Sequence, residues 1–177
     1  MPREHDAHIR VGIGYDSHRF VVGRPLTLGG IQIPSEVGLQ GHSDADAICH
    51  AVTDAILGAA GLGDIGEMFP DTDPANKDRD SIGMLEAAVR RISSAGYRVN
   101  QVDVSVVAET PRLAPHRDKI RSRLASALGI DSASVSVKGK TNEGMGWIGR
   151  GEGVAVMAVA TLAGPSAPRL SGGHSVS

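Results

Sequence analysis

Apolar residues recur along the chain with two different periods. Ile9, Val11 and Ile13 alternate with other residues, so Ile9 to Tyr15 is predicted as a strand that shows these three side chains on one face. Pro25 to Ile33 holds one or two short strands, broken at Gly29-Gly30. Over Ser43 to Ala60 the period changes. Ile48, Val52, Ala55, Ile56 and Ala59 form one helical stripe, and Gly61 stops the helix. A second helix is expected from Ser81, read as its cap, with Met84, Leu85, Ala88, Val89 and Ile92 buried and Gly96 at its end. Val102, Val104 and Val106 alternate with Asp103 and Ser105 as a half-buried strand. Pro115 to Leu128 reads as a third helix, with Ile120, Leu124 and Leu128 inward and Gly129 ending it. Val135 and Val137 start another strand, and Val154 to Leu162 is the last.

Strands and helices are mixed, and the middle reads β-α-β. The fold class is therefore α/β (or α+β): one domain, a mixed sheet with three helices on one face. The expected boundaries are an arm over 1–8, the domain over 9–162, and a disordered Gly-, Pro- and Ser-rich tail over 163–177. A sheet covered on one side needs a partner for the other. The apolar run Val154 to Ala160 points to burial on both faces, which oligomerisation would supply. Gly61 to Asp80 is a long loop rich in Gly, Pro and Asp, and loops of that length inside a compact domain are usually functional.

Composition narrows the function. The 177 residues suffice for about one domain, and 41% apolar residues can form a real core. With only five aromatic residues (Tyr15, Phe20, Phe69, Tyr97 and Trp147), that core must be aliphatic. The formal charge of −2 provides no field to hold a polyanion, so nucleic-acid binding is not expected. The basic run His116 to Arg123 is read as a solvated helix face. No apolar stretch approaches the ~20 residues that span a bilayer, and the polar start Met1 to Asp6 does not read as a signal peptide. No membrane partner and a cytoplasmic location are expected. Cys49 stands alone, so no internal disulfide can form, and it is read as a small core residue.

Several residues can carry chemistry. Asp16 and His18 are two apart in a strand, so a carboxylate and an imidazole converge. Asp46, His50 and Asp54 are spaced to stack on one helical face. Asp16, His18 and His50 together would make a three-ligand zinc site, with the fourth position open to an anionic oxygen. Taken singly, each has a plainer reading as a polar strand end or a solvated face. Ser43-x-x-Asp46 reads as a capping box, which places His42-Ser43 at a helix start suited to phosphate. The loop from Gly63 to Pro74 holds Asp64, Asp71 and Asp73, which serve turns or else hold hydroxyls or a metal shell. The segment Lys138 to Gly153 is glycine-rich with two lysines, Arg150 and two glutamates. Such a segment can cradle phosphates beside a divalent ion, although its spacing is not that of a Walker loop.

Taken together, these motifs resemble the 2-C-methyl-D-erythritol 2,4-cyclodiphosphate synthase family. The resemblance lies in Gly12-Ile13-Gly14-Tyr15-Asp16-Ser17-His18-Arg19-Phe20, in His42-Ser43-Asp44-Ala45-Asp46 with His50, and in Leu62-Gly63-Asp64-Ile65-Gly66. It continues in Phe69-Pro70-Asp71-Thr72-Asp73-Pro74 and in Thr141-Asn142-Glu143 through Gly149-Arg150-Gly151-Glu152-Gly153, and it spans about residues 9–162. It implies a homotrimer with sheets lining the three-fold axis and sites shared between adjacent chains. It implies one zinc per chain on Asp16, His18 and His50, and Mg²⁺ or Mn²⁺ with the substrate diphosphate at Glu143. His42 and Thr141 would be catalytic. Asp16, His18, His42 and Ser43 would contact substrate, as would Asp64, Ile65, Gly66, Phe69, Pro70, Asp71, Thr72 and Asp73 around the erythritol. Ala108, Glu109, Thr110, Pro111, Arg112, Leu113 and Ala114, with Lys140, Thr141, Asn142 and Glu143, would hold the cytidine and diphosphate. Trp147 and Arg150 would add further contacts. The family often has threonines where Lys140 and Asn142 stand, and Phe where Trp147 stands.

The implied substrate is a cytidine diphosphate, 4-diphosphocytidyl-2-C-methyl-D-erythritol 2-phosphate. Its own 2-phosphate attacks the β-phosphorus, and CMP leaves. Nucleophile and electrophile share one molecule, so the protein need only fold the substrate and neutralise charge. A zinc-dependent nucleotide-diphosphate phosphohydrolase is the alternative enzyme reading. A trimeric, metal-stabilised binding module is the non-enzymatic one.

Overall fold

The computed structural model describes residues 8–70, 72–76 and 79–165. Glycine decides how its first two layers meet. Gly12 and Gly14 sit in strand β1 (His8–Val22) and face helix α1 (Ala47–Ala60). A Cβ on Gly12 would stand 2.1 Å from the Ala55 carbonyl oxygen, and one on Gly14 would stand 1.9 Å from that of Ala51. Without side chains at these positions, strand and helix backbones pack almost in contact. Alanines 47, 51, 55 and 59 on the helix serve the same end and are all buried.

The sheet is five-stranded, in the order β4-β1-β7-β5-β6. Strand β1 pairs antiparallel with β7 (Gly153–Gly164) and with β4 (Val37–Leu39). Strand β5 (Arg98–Val107) runs antiparallel to β7 and parallel to β6 (Val135–Lys140). The parallel pair is the expected β-α-β unit, with α4 (Arg117–Leu128) as the crossover. Helix α3 (Ser81–Ser94) packs beside α1, and α4 packs against α3 and β6. A small hairpin, β2 (Leu26–Leu28) and β3 (Ile31–Ile33), turns through Gly29 and Gly30, both at positive φ. The mixed sheet with helices on one face is thus present. Its other face carries Ile9, Val11, Ile13, Tyr15, Met157 and Val159, all exposed in the single chain.

Several boundaries differ from expectation. The first strand runs on through Asp16 and His18 to Val22 because β7 and then β4 continue its ladder. Helix α1 begins at Ala47, not Ser43. Its cap is Asp46, whose side chain accepts from the backbone N–H groups of Ile48 and Cys49, so Ser43 and Asp46 form no capping box. His42 and Ser43 lie in the loop before the helix. Asp46 is also not part of a polar face with His50 and Asp54. It is fully buried and receives the N–H groups of Gly29 and Gly30 at 2.8 and 2.6 Å.

Helix α3 is capped by Asp80, which leaves the Ser81 hydroxyl free for other work. The long loop contains a short helix, α2 (Ile65–Met68), and a 3₁₀ turn over Pro74–Asn76. In the second dense segment, Lys138 to Lys140 belong to β6, and the short helix α5 (Gly146–Gly149) follows. Ala163 and Gly164 complete β7, so they are not part of a disordered tail. Of the rest of that expected tail, Pro165 is described and 166–177 lie outside the described residues, as does the expected arm save His8.

Candidate metal centre and nucleotide groove

Asp16 and His18 point to the same side of β1, as their spacing requires. The fold brings His50, on the first turns of α1, against them. Asp16 Oδ2 lies 2.9 Å from His18 Nε2 and 3.0 Å from His50 Nδ1. One carboxylate oxygen and two imidazole nitrogens thus lie within 4.8 Å of one another. This donor set, borderline between hard and soft, suits zinc.

Each imidazole is anchored on its far side. His18 Nδ1 donates to the Gln40 carbonyl at 2.7 Å, which leaves Nε2 for the cluster. His50 Nε2 meets the hydroxyls of Ser81 and Ser43 at 3.0 and 3.1 Å. Burial disfavours ionisation of Asp16, but hydrogen bonds and charge from His18 and His50 outweigh it and hold its carboxyl well below the usual range. Burial likewise opposes the His18 imidazolium. The Asp16 carboxylate, helped by the Gln40 carbonyl, overcomes it and raises the imidazole above its ordinary value. Ser43 and Ser81 are buried, whereas His42 is exposed. Arg24 donates to the Gly41 and Ser43 carbonyls at 2.7 and 2.6 Å and so holds the loop that carries His42 and Ser43.

A second feature is an open groove. It is lined by Ala108, Glu109, Thr110, Pro111, Arg112, Leu113 and Ala114, by Lys140 and Thr141, and by apolar residues including Phe20, Leu26 and Leu28. Glu109 accepts the backbone N–H groups of Asn142 and Gly144 at 2.9 and 3.3 Å, tying the two wall segments together. Thr141 Oγ1 donates to Glu143 Oε1 at 3.0 Å. Asn142 spends its side-chain amide on the Met145 carbonyl. None of Asp16, His18 and His50 lines this groove.

The remaining sequence-predicted residues are elsewhere. Asp64 caps α2 through the Glu67 N–H, and Ile65 N–H is held by Asp54. Phe69 lies under the Arg79 guanidinium, 4.8 Å from ring centre to Arg79 Cζ. The Pro70 carbonyl accepts from Asn76, and Asp73 accepts from the Ala75 N–H. Gly66 is in α2 and Thr72 is exposed in the turn that follows, while Asp71 lies outside the described residues. Trp147 borders a hollow with Ser17, His18, Arg19 and Glu152, and Arg150 pairs with Glu152 at 2.6 Å.

Sequence reasoning missed the outer partners: the Gln40 carbonyl, Ser81 and Asp44. Asp44 stood inside a recognised motif without a role. Ser81, mistaken for a cap, gave no other signal. Among the described residues no helix is long and apolar enough to cross a membrane.

Comparison with known proteins follows the same lines. The sequence profile of the YgbB family matches residues 9–163. The chain is 66% identical over 154 residues to the 2-C-methyl-D-erythritol 2,4-cyclodiphosphate synthase of Gemmatimonas aurantiaca, covering 87% of this chain and 93% of that one. Its fold is similar to the bifunctional IspDF of Campylobacter jejuni, with a TM-score of 0.87 and 42% identity. That match covers 90% of this chain and 43% of the longer bifunctional chain. It is also similar to a CDP complex of IspF from Plasmodium falciparum, with a TM-score of 0.79 and 36% identity, covering 90% of this chain and 99% of that one.

Proposed function

The chain belongs to the YgbB family of 2-C-methyl-D-erythritol 2,4-cyclodiphosphate synthases, and from this we infer that it cyclises 4-diphosphocytidyl-2-C-methyl-D-erythritol 2-phosphate, a step of non-mevalonate isoprenoid synthesis. The products are 2-C-methyl-D-erythritol 2,4-cyclodiphosphate and CMP, which makes the enzyme a phosphorus–oxygen lyase. One observation carries this reading: Asp16, His18 and His50 converge from a strand and a helix onto one point. The phosphohydrolase and binding-module readings have no comparable support.

In this reaction a 2-phosphate oxygen forms a bond to the β-phosphorus. The bond from that phosphorus to the oxygen bridging it to the α-phosphorus breaks, and the electron pair leaves with CMP. The chain's task is to fold the substrate so that attack is in line, an effect of ~7–11 kcal/mol in favourable cases.

In this reading Asp16, His18 and His50 hold zinc, and Glu143 holds Mg²⁺ or Mn²⁺ against the diphosphate. Bound there, the two cations supply Lewis-acid neutralisation of crowded phosphate charge. His42 and Ser43 bind the 2-phosphate beside the metal cluster. The backbone of Ala108 to Ala114 receives the cytosine in the groove; the CDP complex of the similar Plasmodium falciparum protein supports a cytidine nucleotide as the ligand. Thr141 orients the diphosphate, and Lys140 adds a cation where the family often has a hydroxyl. Asp64 to Gly66 and Phe69 to Asp73 enclose the erythritol. Trp147 and Arg150 complete the rim.

We also propose a homotrimer in which one chain's metal cluster faces the next chain's nucleotide groove. Two features support it: the groove is lined by no metal-cluster residue, and the bare sheet face carries six exposed large hydrophobic side chains. A cytoplasmic location accords with this reading.

The decisive experiment incubates the purified protein with the diphosphocytidyl substrate and Mg²⁺ and follows phosphorus NMR. A cyclic diphosphate with stoichiometric CMP is expected. Inorganic phosphate or a linear product would replace this reading with the hydrolase.

A further inference from the structure

His50 turns one ring nitrogen toward Asp16 and leaves Nε2 facing away from the cluster, between two hydroxyls. The hydroxyls are not equivalent. Ser81 Oγ donates its only proton to Asp44 Oδ1, and a carboxylate can only accept, so the direction of that bond is set. Ser81 Oγ can then only accept from His50 Nε2, 3.0 Å away. Ser43 Oγ instead accepts the Ala45 N–H at 3.1 Å and keeps its proton to donate.

Ser81 has no freedom to leave. It is wholly buried at the first position of α3, whose cap is supplied by Asp80. Asp44 is held as firmly. Its carboxylate accepts the N–H groups of Asp46 and Ser81, each at 3.3 Å, and its own N–H donates to the Arg79 carbonyl at 3.3 Å.

We propose that Ser81, oriented by Asp44, is the positioning acceptor for His50 Nε2–H, aiming Nδ1 at the point shared with Asp16 and His18 and thereby setting metal affinity. This rests on the assignment of those three residues as metal ligands. The physical reason is general. A neutral imidazole has one N–H and one lone pair, so an acceptor fixed at Nε2 commits the lone pair to Nδ1, and an anion behind that acceptor makes the ligand more basic. His18 obtains the same service from a backbone carbonyl, whereas His50 obtains it from two side chains that mutation can remove.

The test measures zinc dissociation constants on the assembled protein by chelator competition, for wild type, His50→Ala, Ser81→Ala, Asp44→Asn and the Ser81→Ala/Asp44→Asn pair. Ser81→Ala is expected to weaken zinc by about 10–100-fold. Asp44→Asn, which preserves shape and serves alone should Ser81→Ala not fold, is expected to shift affinity the same way by a smaller factor. The double variant should bind no more weakly than Ser81→Ala, since both act through one hydroxyl. In ¹H–¹⁵N spectra of the zinc-loaded wild type, the His50 ring N–H should exchange slowly, and in Ser81→Ala it should be lost to exchange. A merely structural serine would lower the stability of the metal-free protein without moving either readout. Zinc affinities of both single variants within about twofold of wild type, while His50→Ala abolishes binding, would overturn the pair and leave the ligand assignment standing. No change in His50→Ala would overturn both.

Discussion

His18 Nε2 and His50 Nδ1 lie 3.3 Å apart with their ring planes at 61°, although 32 residues separate them along the chain. Two unprotonated ring nitrogens at that distance repel through their lone pairs. The arrangement is favourable when a proton or a cation occupies the space they share with Asp16, so the cluster can hold a metal ion.

Purified protein is accordingly expected to carry about one zinc per chain, and His18→Ala or His50→Ala to lose it with the activity while remaining folded. Elemental analysis checks this together with circular dichroism. Full zinc occupancy in both variants would remove the assignment.

The metal-free protein should show a pH signature from His18. Its folded value lies above the ordinary 6.5, since the Asp16 carboxylate outweighs the burial that opposes its charge. A raised histidine contributes stability that is fully present below its unfolded value and is lost as pH rises through the folded one. Chelator-treated wild type should therefore lose stability relative to His18→Gln over the pH interval that begins at the ordinary 6.5 and runs upward. Zinc affinity should move the opposite way, rising as the competing proton leaves. Parallel melting curves of the two proteins across that interval would contradict the pairing.

Asp46 is predicted to be the most costly single carboxylate to remove from the fold. It accepts N–H groups from Gly29, Gly30, Ile48 and Cys49 and has no exposed surface. Asp46→Ala removes a helix cap and strands the hairpin turn, for a loss of about 3–5 kcal/mol in urea unfolding. A loss below about 1 kcal/mol would show that these donors find other acceptors.

Two glycines should respond in opposite directions. Gly14→Ala drives a methyl group into the Ala51 carbonyl and should cost at least about 3 kcal/mol, or prevent soluble expression. Gly58, inside α1 with nothing within 4 Å of its added Cβ, should tolerate alanine with a gain of about 0.5–1 kcal/mol. Denaturant midpoints of the two variants check both signs.

Shared sites predict complementation between two inactive chains. His50→Ala disables the metal half, and Glu143→Ala is expected to disable the nucleotide half. In randomly co-assembled trimers about three quarters are mixed, and each mixed ring regains one intact site of three. CMP release should return to about a quarter of wild type. Mixed trimers confirmed by mass that stay inactive would place each site within one chain.

Much of this was legible in the sequence because it depends on local periodicity. The alternation of Val102, Val104 and Val106 and the stripe through Ile48, Val52 and Ile56 depend on neighbours a few residues away, and they appear as strand and helix where expected. Gly61 and Gly129 ended their helices in the left-handed conformation for the same reason. Asp16 and His18 converge because a strand repeats every two residues. Spacing also made His50 a candidate third ligand, and the motif likeness carried the reading further, to the walls of the open groove.

Only the tertiary structure decided where the caps fall and what stands behind the ligands. Ser43, Asp46, Asp80 and Ser81 are all residues that cap helices well, so local chemistry cannot choose among them. The choice went to Asp46 because the hairpin turn at Gly29-Gly30 presents two further N–H groups to the same carboxylate, and to Asp80 because the Ser81 hydroxyl is drawn to Asp44 and His50. Those partners lie 16 to 37 residues away in the chain, where no periodicity reaches. Their geometry exists only once α1, α3 and β1 have packed around one point.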